Sequence, residues 1–236
     1  MLRILPACLA CLLLASCFDL REEIWVHDDG SGRMRFDYAF PSEALLVVGG
    51  SEGIESDIRR LFDAEPDLRL DELAIEPSGT DTRLRLIAST DSMLSLMDLK
   101  ESEAFQSLPR ASGDLAGSFE VKLRGLSLDA RRTVDFQRAL GLAALAIGQE
   151  QRERRQVTYI LHLPEPALEH NASHTENDGR TLVWQHTLGE ALAHPVVTEF
   201  RTRLPLPWWV WPLLALLVAL PTVLLLRWRK RRDARP

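Results

Sequence analysis

Hydrophobic and polar residues alternate along much of the middle of the chain, a pattern typical of strands that bury one face. Within residues 33–40, every second residue is apolar: Met34, Phe36, Tyr38 and Phe40. Residues 28–32 are rich in Asp and Gly and separate this strand from residues 22–27, so the two segments predict a β-hairpin. The same signals predict a second hairpin from residues 68–76 and 82–89, and further strands at residues 118–128, 156–163, 181–186 and 196–204.

Three segments have helical patterns: residues 52–64, 91–106 and 134–149. Because tight turns join neighbouring strands and helices do not alternate with strands, the sequence predicts an α+β fold, a mainly antiparallel sheet with a few packed helices. Residues 139–148, in the third segment, are apolar on every side. We therefore expect this helix to be enclosed, either by the protein core or by a bound ligand.

The first 16 residues are typical of an export signal. Arg3 precedes an apolar run of about a dozen residues, which is too short to cross a bilayer. The run ends in Leu14-Ala15-Ser16-Cys17, which resembles the lipobox of bacterial lipoproteins. In that family the cysteine receives a diacylglycerol thioether and becomes the first residue of the mature protein. We expect residues 1–16 to be removed and Cys17 to be lipidated.

Near the carboxy terminus, residues 208–226 form an uncharged stretch of 19 residues, which as a helix is roughly 28 Å long. Tryptophans flank it at both ends, and five basic residues follow within six positions. These features predict a transmembrane helix at residues 207–227 and a cytoplasmic tail at residues 228–236. Residues 17–206 then form a domain on the exported side of the bacterial cytoplasmic membrane.

Charged residues are distributed unevenly along the chain. The whole chain has a net charge of −6, but residues 18–207 hold 21 basic and 33 acidic residues, a net charge of −12. An acidic domain of this kind lacks the basic surface that phosphate backbones require, so we expect no nucleic-acid partner. The membrane is the predicted partner at both ends.

One enzymatic motif is present. Gly49-Gly50-Ser51-Glu52-Gly53 matches G-x-S-x-G, and it lies between an apolar run and a predicted helix, as a nucleophile elbow requires. A serine hydrolase would need a histidine to activate Ser51, with His162, His186 and His194 as the candidates. The alternative is structural: Ser51 caps the helix, and the glycines form the turn before it.

No cofactor is expected from the remaining polar motifs. His170 and His174 have the spacing of metal ligands on one helix, but Asn177-Asp178-Gly179 follows closely and favours a hairpin loop instead. No glycine-rich phosphate loop or dinucleotide fingerprint occurs in the chain. We therefore predict no metal site and no catalytic site.

The arrangement as a whole resembles the LppM-type membrane lipoproteins. The shared features are the lipobox, an opening strand followed by Asp29-Gly30-Ser31-Gly32 and a second strand, a late hairpin across residues 171–188, and a final span with a basic tail. The resemblance implies an α+β domain able to hold amphiphilic lipids, and it implies no catalytic residue.

We therefore predict a non-enzymatic, double-anchored cell-envelope lipoprotein that binds a lipid-like ligand or an envelope protein. The alternative is a membrane-tethered serine hydrolase using Ser51. The candidate ligand-binding residues are four apolar side chains of the enclosed helix, which we expect to face the sheet: Leu140, Leu142, Leu145 and Ile147.

Overall fold

Two β-sheets form the framework of the exported domain. The computed structural model describes residues 19–42, 50–97, 99–108, 110–141 and 143–203, all of which belong to one compact unit. The strands within this described part are β1 (Asp19–Val26), β2 (Gly32–Pro41), β3 (Leu68–Ser78), β4 (Asp81–Thr90), β5 (Ser118–Arg124), β6 (Ser127–Val134), β7 (Gln156–His162), β8 (Glu169–His170), β9 (His174–Glu176), β10 (Thr181–Thr187) and β11 (Val196–Arg203).

The larger sheet has the strand order β3-β4-β2-β1-β7-β10-β9, and the smaller sheet has the order β5-β6-β11-β8. Every strand pair is antiparallel except β1 with β7, which are joined by a long connection and run parallel. The predicted α+β class with a mainly antiparallel sheet is confirmed for the described residues, as are both predicted hairpins, β1–β2 and β3–β4.

Short helices fill the connections. They are α1 (Gly50–Ala64), α2 (Glu103–Gln106), α3 (Arg110–Ala116), α4 (Phe136–Leu140), α5 (Ala143–Ala146), α6 (Gln149–Arg154) and α7 (Leu188–Ala193). The last of these begins with a capping box, in which the Thr187 side chain accepts from the Glu190 N–H while the Glu190 carboxylate accepts from the Thr187 N–H. The prediction of a helix at residues 52–64 is confirmed by α1.

Two predicted helices are wrong in their extent. Residues 91–106 form two 3₁₀ turns, Ser95–Met97 and Leu99–Glu101, followed by the single-turn helix α2. Serine side chains interrupt the helical pattern by bonding to the nearby backbone: Ser95 donates to the Ser92 carbonyl, and Ser102 accepts from the Phe105 N–H.

Residues 134–149 are likewise not one helix. Val134 ends β6, Asp135 caps the start of α4, and the chain leaves α4 at Gly141 with φ of +53°. This left-handed φ is accessible to glycine at little cost, so the helix ends there despite its apolar sequence.

The prediction of one continuous strand at residues 118–128 is also wrong. These residues contain a turn at Gly125, with φ of +64°, which divides them between β5 and β6.

Two hydrophobic clusters hold these elements together. One packs the larger sheet against α7 and the ends of β6 and β11, with Leu20, Trp184 and Leu188 at its centre. The other packs β2, β3 and β4 against the apolar face of α1. No helix among the described residues is long and apolar enough to cross a membrane. The predicted signal peptide 1–16, transmembrane helix 207–227 and tail 228–236 lie outside the described residues.

Candidate functional site

A buried ion pair joins the two sheets. Glu22 of β1 is 2% exposed and lies on the same strand face as the core residue Leu20. Arg132 of β6 reaches it from the smaller sheet and binds both carboxylate oxygens. The guanidinium also donates to the carbonyls of Leu115 and Ala116 at the end of α3. One arginine therefore links both sheets and a helix.

Aromatic rings enclose this ion pair. The guanidinium carbon of Arg132 lies 4.8 Å from the ring centroid of Tyr159 and 5.2 Å from that of Phe119. The Tyr38 hydroxyl donates to Glu22 at 2.8 Å. Burial and the adjacent Glu22 carboxylate raise the pKa of Tyr38 and of Tyr159 well above the usual tyrosine value. Both phenols therefore stay neutral at physiological pH and act only as hydrogen-bonding groups.

The two tyrosines differ in one respect. The Tyr159 hydroxyl is buried and has no hydrogen-bond partner among the described residues, and Nε2 of His186 shares this property. Burial lowers the pKa of Arg132, but the charge of Glu22 outweighs that effect and raises the pKa overall. Glu22 and Arg132 thus bind each other in the core, whereas Tyr159 Oη is a buried hydroxyl without a partner among the described residues.

Sequence reasoning missed this cluster, although a signal was present. Glu22 alternates in register with Leu20 and Ile24, so it occupies a position on the buried face of a predicted strand. Arg132 alternates in the same way with Ala130 and Val134. A charge on the buried face of each of two strands predicts a partner across the core, since an unpaired buried charge is strongly disfavoured.

A second polar group lies on the larger sheet. His162 places Nε2 at 2.9 Å from Glu23 Oε1 and Nδ1 at 3.0 Å from Thr181 Oγ1, and its ring stacks on Trp25. Burial raises the pKa of Glu23, but hydrogen bonds from His162 and Arg21 outweigh burial and lower it overall. Thr181 is 2% exposed, so the set has the chemistry of an acid, base and hydroxyl but no accessible nucleophile.

The predicted hydrolase residues occupy separate elements. Ser51 is exposed in the first turn of α1, which begins at Gly50. Ser51 is therefore the second residue of the helix, not the residue that precedes it, so the prediction that Ser51 is the cap is wrong. His162 and His186 lie in β7 and β10 of the larger sheet, and His194 follows α7. Hydrolase activity of Ser51 stays a prediction.

The histidine pair does not lie on one helix. His170 is in β8 of the smaller sheet and His174 is in β9 of the larger sheet, so their spacing of four carries no metal-binding meaning. Among the described residues, no group of three His, Cys, Asp or Glu side chains is arranged to hold a metal ion.

The four candidate ligand-binding residues are dispersed. Leu140 and Ile147 are half-buried and pack on the first hydrophobic cluster. Leu145 is 76% exposed, contrary to the expectation that all four side chains face the sheet; it belongs to α5, which the break at Gly141 separates from α4. Leu142 and the lipidation residue Cys17 lie outside the described residues. Ligand binding by these side chains stays a prediction.

No protein-family model matches the chain, and no curated protein matches it. Among solved structures, the chain is similar to the NMR structure of the folded domain of the Mycobacterium tuberculosis protein LppM. The two are 12% identical with a TM-score of 0.49, and the similarity covers 80% of this chain and 91% of that one.

Proposed function

We propose that this chain is a non-enzymatic lipoprotein of the bacterial cell envelope, anchored in the cytoplasmic membrane at both ends. Its exported domain binds a lipid-like ligand, with an envelope protein as the other class of partner. The observation that carries the proposal is the position of the folded domain between the two predicted anchors. The first strand begins at Asp19, two residues after Cys17, and the last strand ends at Arg203, five residues before Trp208.

These intervals leave very short tethers. Five residue steps span at most about 17 Å and two span about 7 Å. A domain with such tethers stays at the membrane surface, where a molecule that it binds is either a membrane lipid or another envelope component.

The buried hydroxyl of Tyr159 supports the lipid as the ligand. It lies in the first hydrophobic cluster, which also includes the half-buried Leu115, Leu140 and Ile147. An amphiphilic molecule offers both an apolar chain for such surroundings and a polar atom for an unpaired hydroxyl. We therefore expect acyl lipids to be found in the domain by mass spectrometry after purification.

The proposal that the protein is not an enzyme can be tested with a probe for serine hydrolases. Ser51 is the nucleophile that a hydrolase would use. A fluorophosphonate probe applied to membranes should leave the parent protein unlabelled, like the Ser51→Ala variant. Labelling of the parent that is lost in Ser51→Ala would replace the binding role by a hydrolase.

The main experiment tests the predicted membrane topology of the chain. Alkaline phosphatase is active only after export, so a fusion after Arg203 should be active and a fusion after Pro236 should be inactive. The two fusions share the same exported domain, and each controls for expression of the other. Strong activity after Pro236 would reverse the predicted orientation, and inactivity at both positions would contradict export of the domain.

A further inference from the structure

Exposed apolar side chains concentrate on one hairpin of the smaller sheet. Six large hydrophobic side chains are exposed in the described part of the chain, and three of them belong to β5, β6 and the turn between these strands. Leu123 is 66% exposed and Leu126, in the turn, is 62% exposed. Phe119, at the start of β5, is also half exposed, although its ring covers Arg132. We refer to residues 122–127 as the hairpin tip.

The hairpin tip lies where the folded domain ends. In the pairing of β6 with β11, Ser127 is directly opposite Arg203, the last residue of β11. Neighbouring strands are about 4.8 Å apart, so Arg203 is adjacent to the turn that carries Leu126. The hydrophobic stretch begins at Trp208, five residues further along the sequence. The hairpin tip is therefore beside the end of β11, from which the chain continues to the predicted span.

Basic side chains flank the two leucines. Lys122 and Arg124 have side chains that are 67% and 66% exposed, and they precede and follow Leu123 in β5. Their ion pairs with Glu120 and Asp129 are on the surface, where such pairs contribute little to stability. The hairpin of residues 118–134 contains four basic and two acidic residues, within a domain that is strongly acidic overall. Apolar residues beside basic ones are typical of segments that enter an anionic bilayer surface.

We propose that the hairpin tip inserts Leu123 and Leu126 into the headgroup region of the same bilayer that holds the predicted transmembrane helix. The inference rests on the proposed membrane anchoring and adds a third point of contact. Leu123 and Leu126 enter the boundary between headgroups and acyl chains, while Lys122 and Arg124 extend to lipid phosphates. These leucines are assigned to lipid because they lie beside the end of β11 at Arg203, from which the chain continues to the predicted span.

A second copy of the chain is the main alternative occupant, because β5 is an edge strand of the smaller sheet. Edge pairing would use the backbone of β5 along its length. Edge pairing would not explain why the exposed apolar side chains are concentrated at the end of the hairpin beside Arg203. A lipid surface accounts for both the position and the charge of the tip.

The experiment uses the full-length protein in vesicles of phosphatidylethanolamine and phosphatidylglycerol. A cysteine is introduced as Leu123→Cys or Leu126→Cys and labelled with bimane, a fluorophore sensitive to its surroundings. The matched control is Ser56→Cys, an exposed position on α1, and the parent protein labelled in parallel gives the background from native thiols. Nitroxides attached to lipid headgroups, or dissolved iodide, serve as quenchers. Thermal unfolding confirms that each variant is folded.

We expect lipid nitroxides to quench most of the fluorescence at positions 123 and 126 and little of it at position 56. If the protein stays with the vesicles after alkaline extraction but iodide alone quenches all three positions, the hairpin proposal is overturned and the anchoring stands. If the protein leaves the vesicles, the anchoring itself is overturned. Shielding from both quenchers that increases with protein density would assign the hairpin tip to a second copy instead.

Discussion

At the scale of single residues, Tyr38 and Tyr159 lie in one buried cluster, and their hydroxyls have opposite roles. Tyr38→Phe removes the donor that bonds to the Glu22 carboxylate, so it should lower the free energy of unfolding by about 1 to 3 kcal/mol. Tyr159→Phe removes a hydroxyl that has no partner in the described part of the chain, so stability should be unchanged or slightly higher, while retained lipid should decrease. Urea unfolding and mass spectrometry of bound lipid measure the two effects. Equal stability loss in both variants would show that Tyr159 Oη has a partner in the protein.

Asp37 gives a pH-dependent prediction. Its carboxylate bonds to Arg35 on its own strand and to Arg85 of β4, and although burial raises its pKa, these bonds lower it overall. A lowered pKa in the folded state means that the stabilisation is complete above the ordinary pKa and is lost as pH falls through the lowered one. Asp37→Asn should therefore unfold about 1 to 2 kcal/mol more easily at pH 7.

This stability difference should shrink as pH falls below about 4, where the parent loses its charge and the variant does not change. Unfolding of both proteins in urea at several pH values measures the difference. A gap that is the same at pH 7 and at pH 3 would assign the effect of Asp37→Asn to packing instead of charge.

At the scale of elements, the strands of the two predicted hairpins could be predicted from the sequence, whereas the helices of the apolar segment could not. Apolar and polar residues alternate along β2 and β4, so the buried face of each strand can be identified from the sequence. Residues 134–149 carry a strong helical pattern, but the backbone at Gly141 adopts a left-handed conformation that hydrophobicity does not encode. The Glu22 to Arg132 pair spans residues 110 positions apart, so its two halves could be noticed but not matched from sequence.

Gly141 and Gly148 provide a matched test of this break. Gly141→Ala forces a side chain onto a residue with φ of +53°, so it should destabilise the domain by about 1 kcal/mol. Gly148 precedes α6 as its cap residue, with an ordinary φ of −67° and open space around it, so Gly148→Ala should change stability by only a few tenths of a kcal/mol. Thermal unfolding compares the two. A more stable Gly141→Ala would indicate that the segment forms the continuous helix after all.

At the scale of the whole molecule, the chain enters the domain in the larger sheet and leaves it in the smaller one. Asp19, at the start of β1, accepts from the backbone N–H of Gln156 at the start of β7. The Arg201 carbonyl, near the end of β11, accepts from the Leu168 N–H, just before β8. With short tethers at both ends, we expect the domain to remain at the bilayer surface.

Anchoring of the domain at both ends can be tested by intact-mass spectrometry of the protein purified from bacterial membranes. We expect a chain that begins at Cys17, carries a diacylglycerol thioether on that residue and continues through Pro236. The Cys17→Ala variant should give the uncleaved precursor without added lipid. A parent protein that retains residues 1–16, or that begins after Cys17, would rule out the lipid anchor.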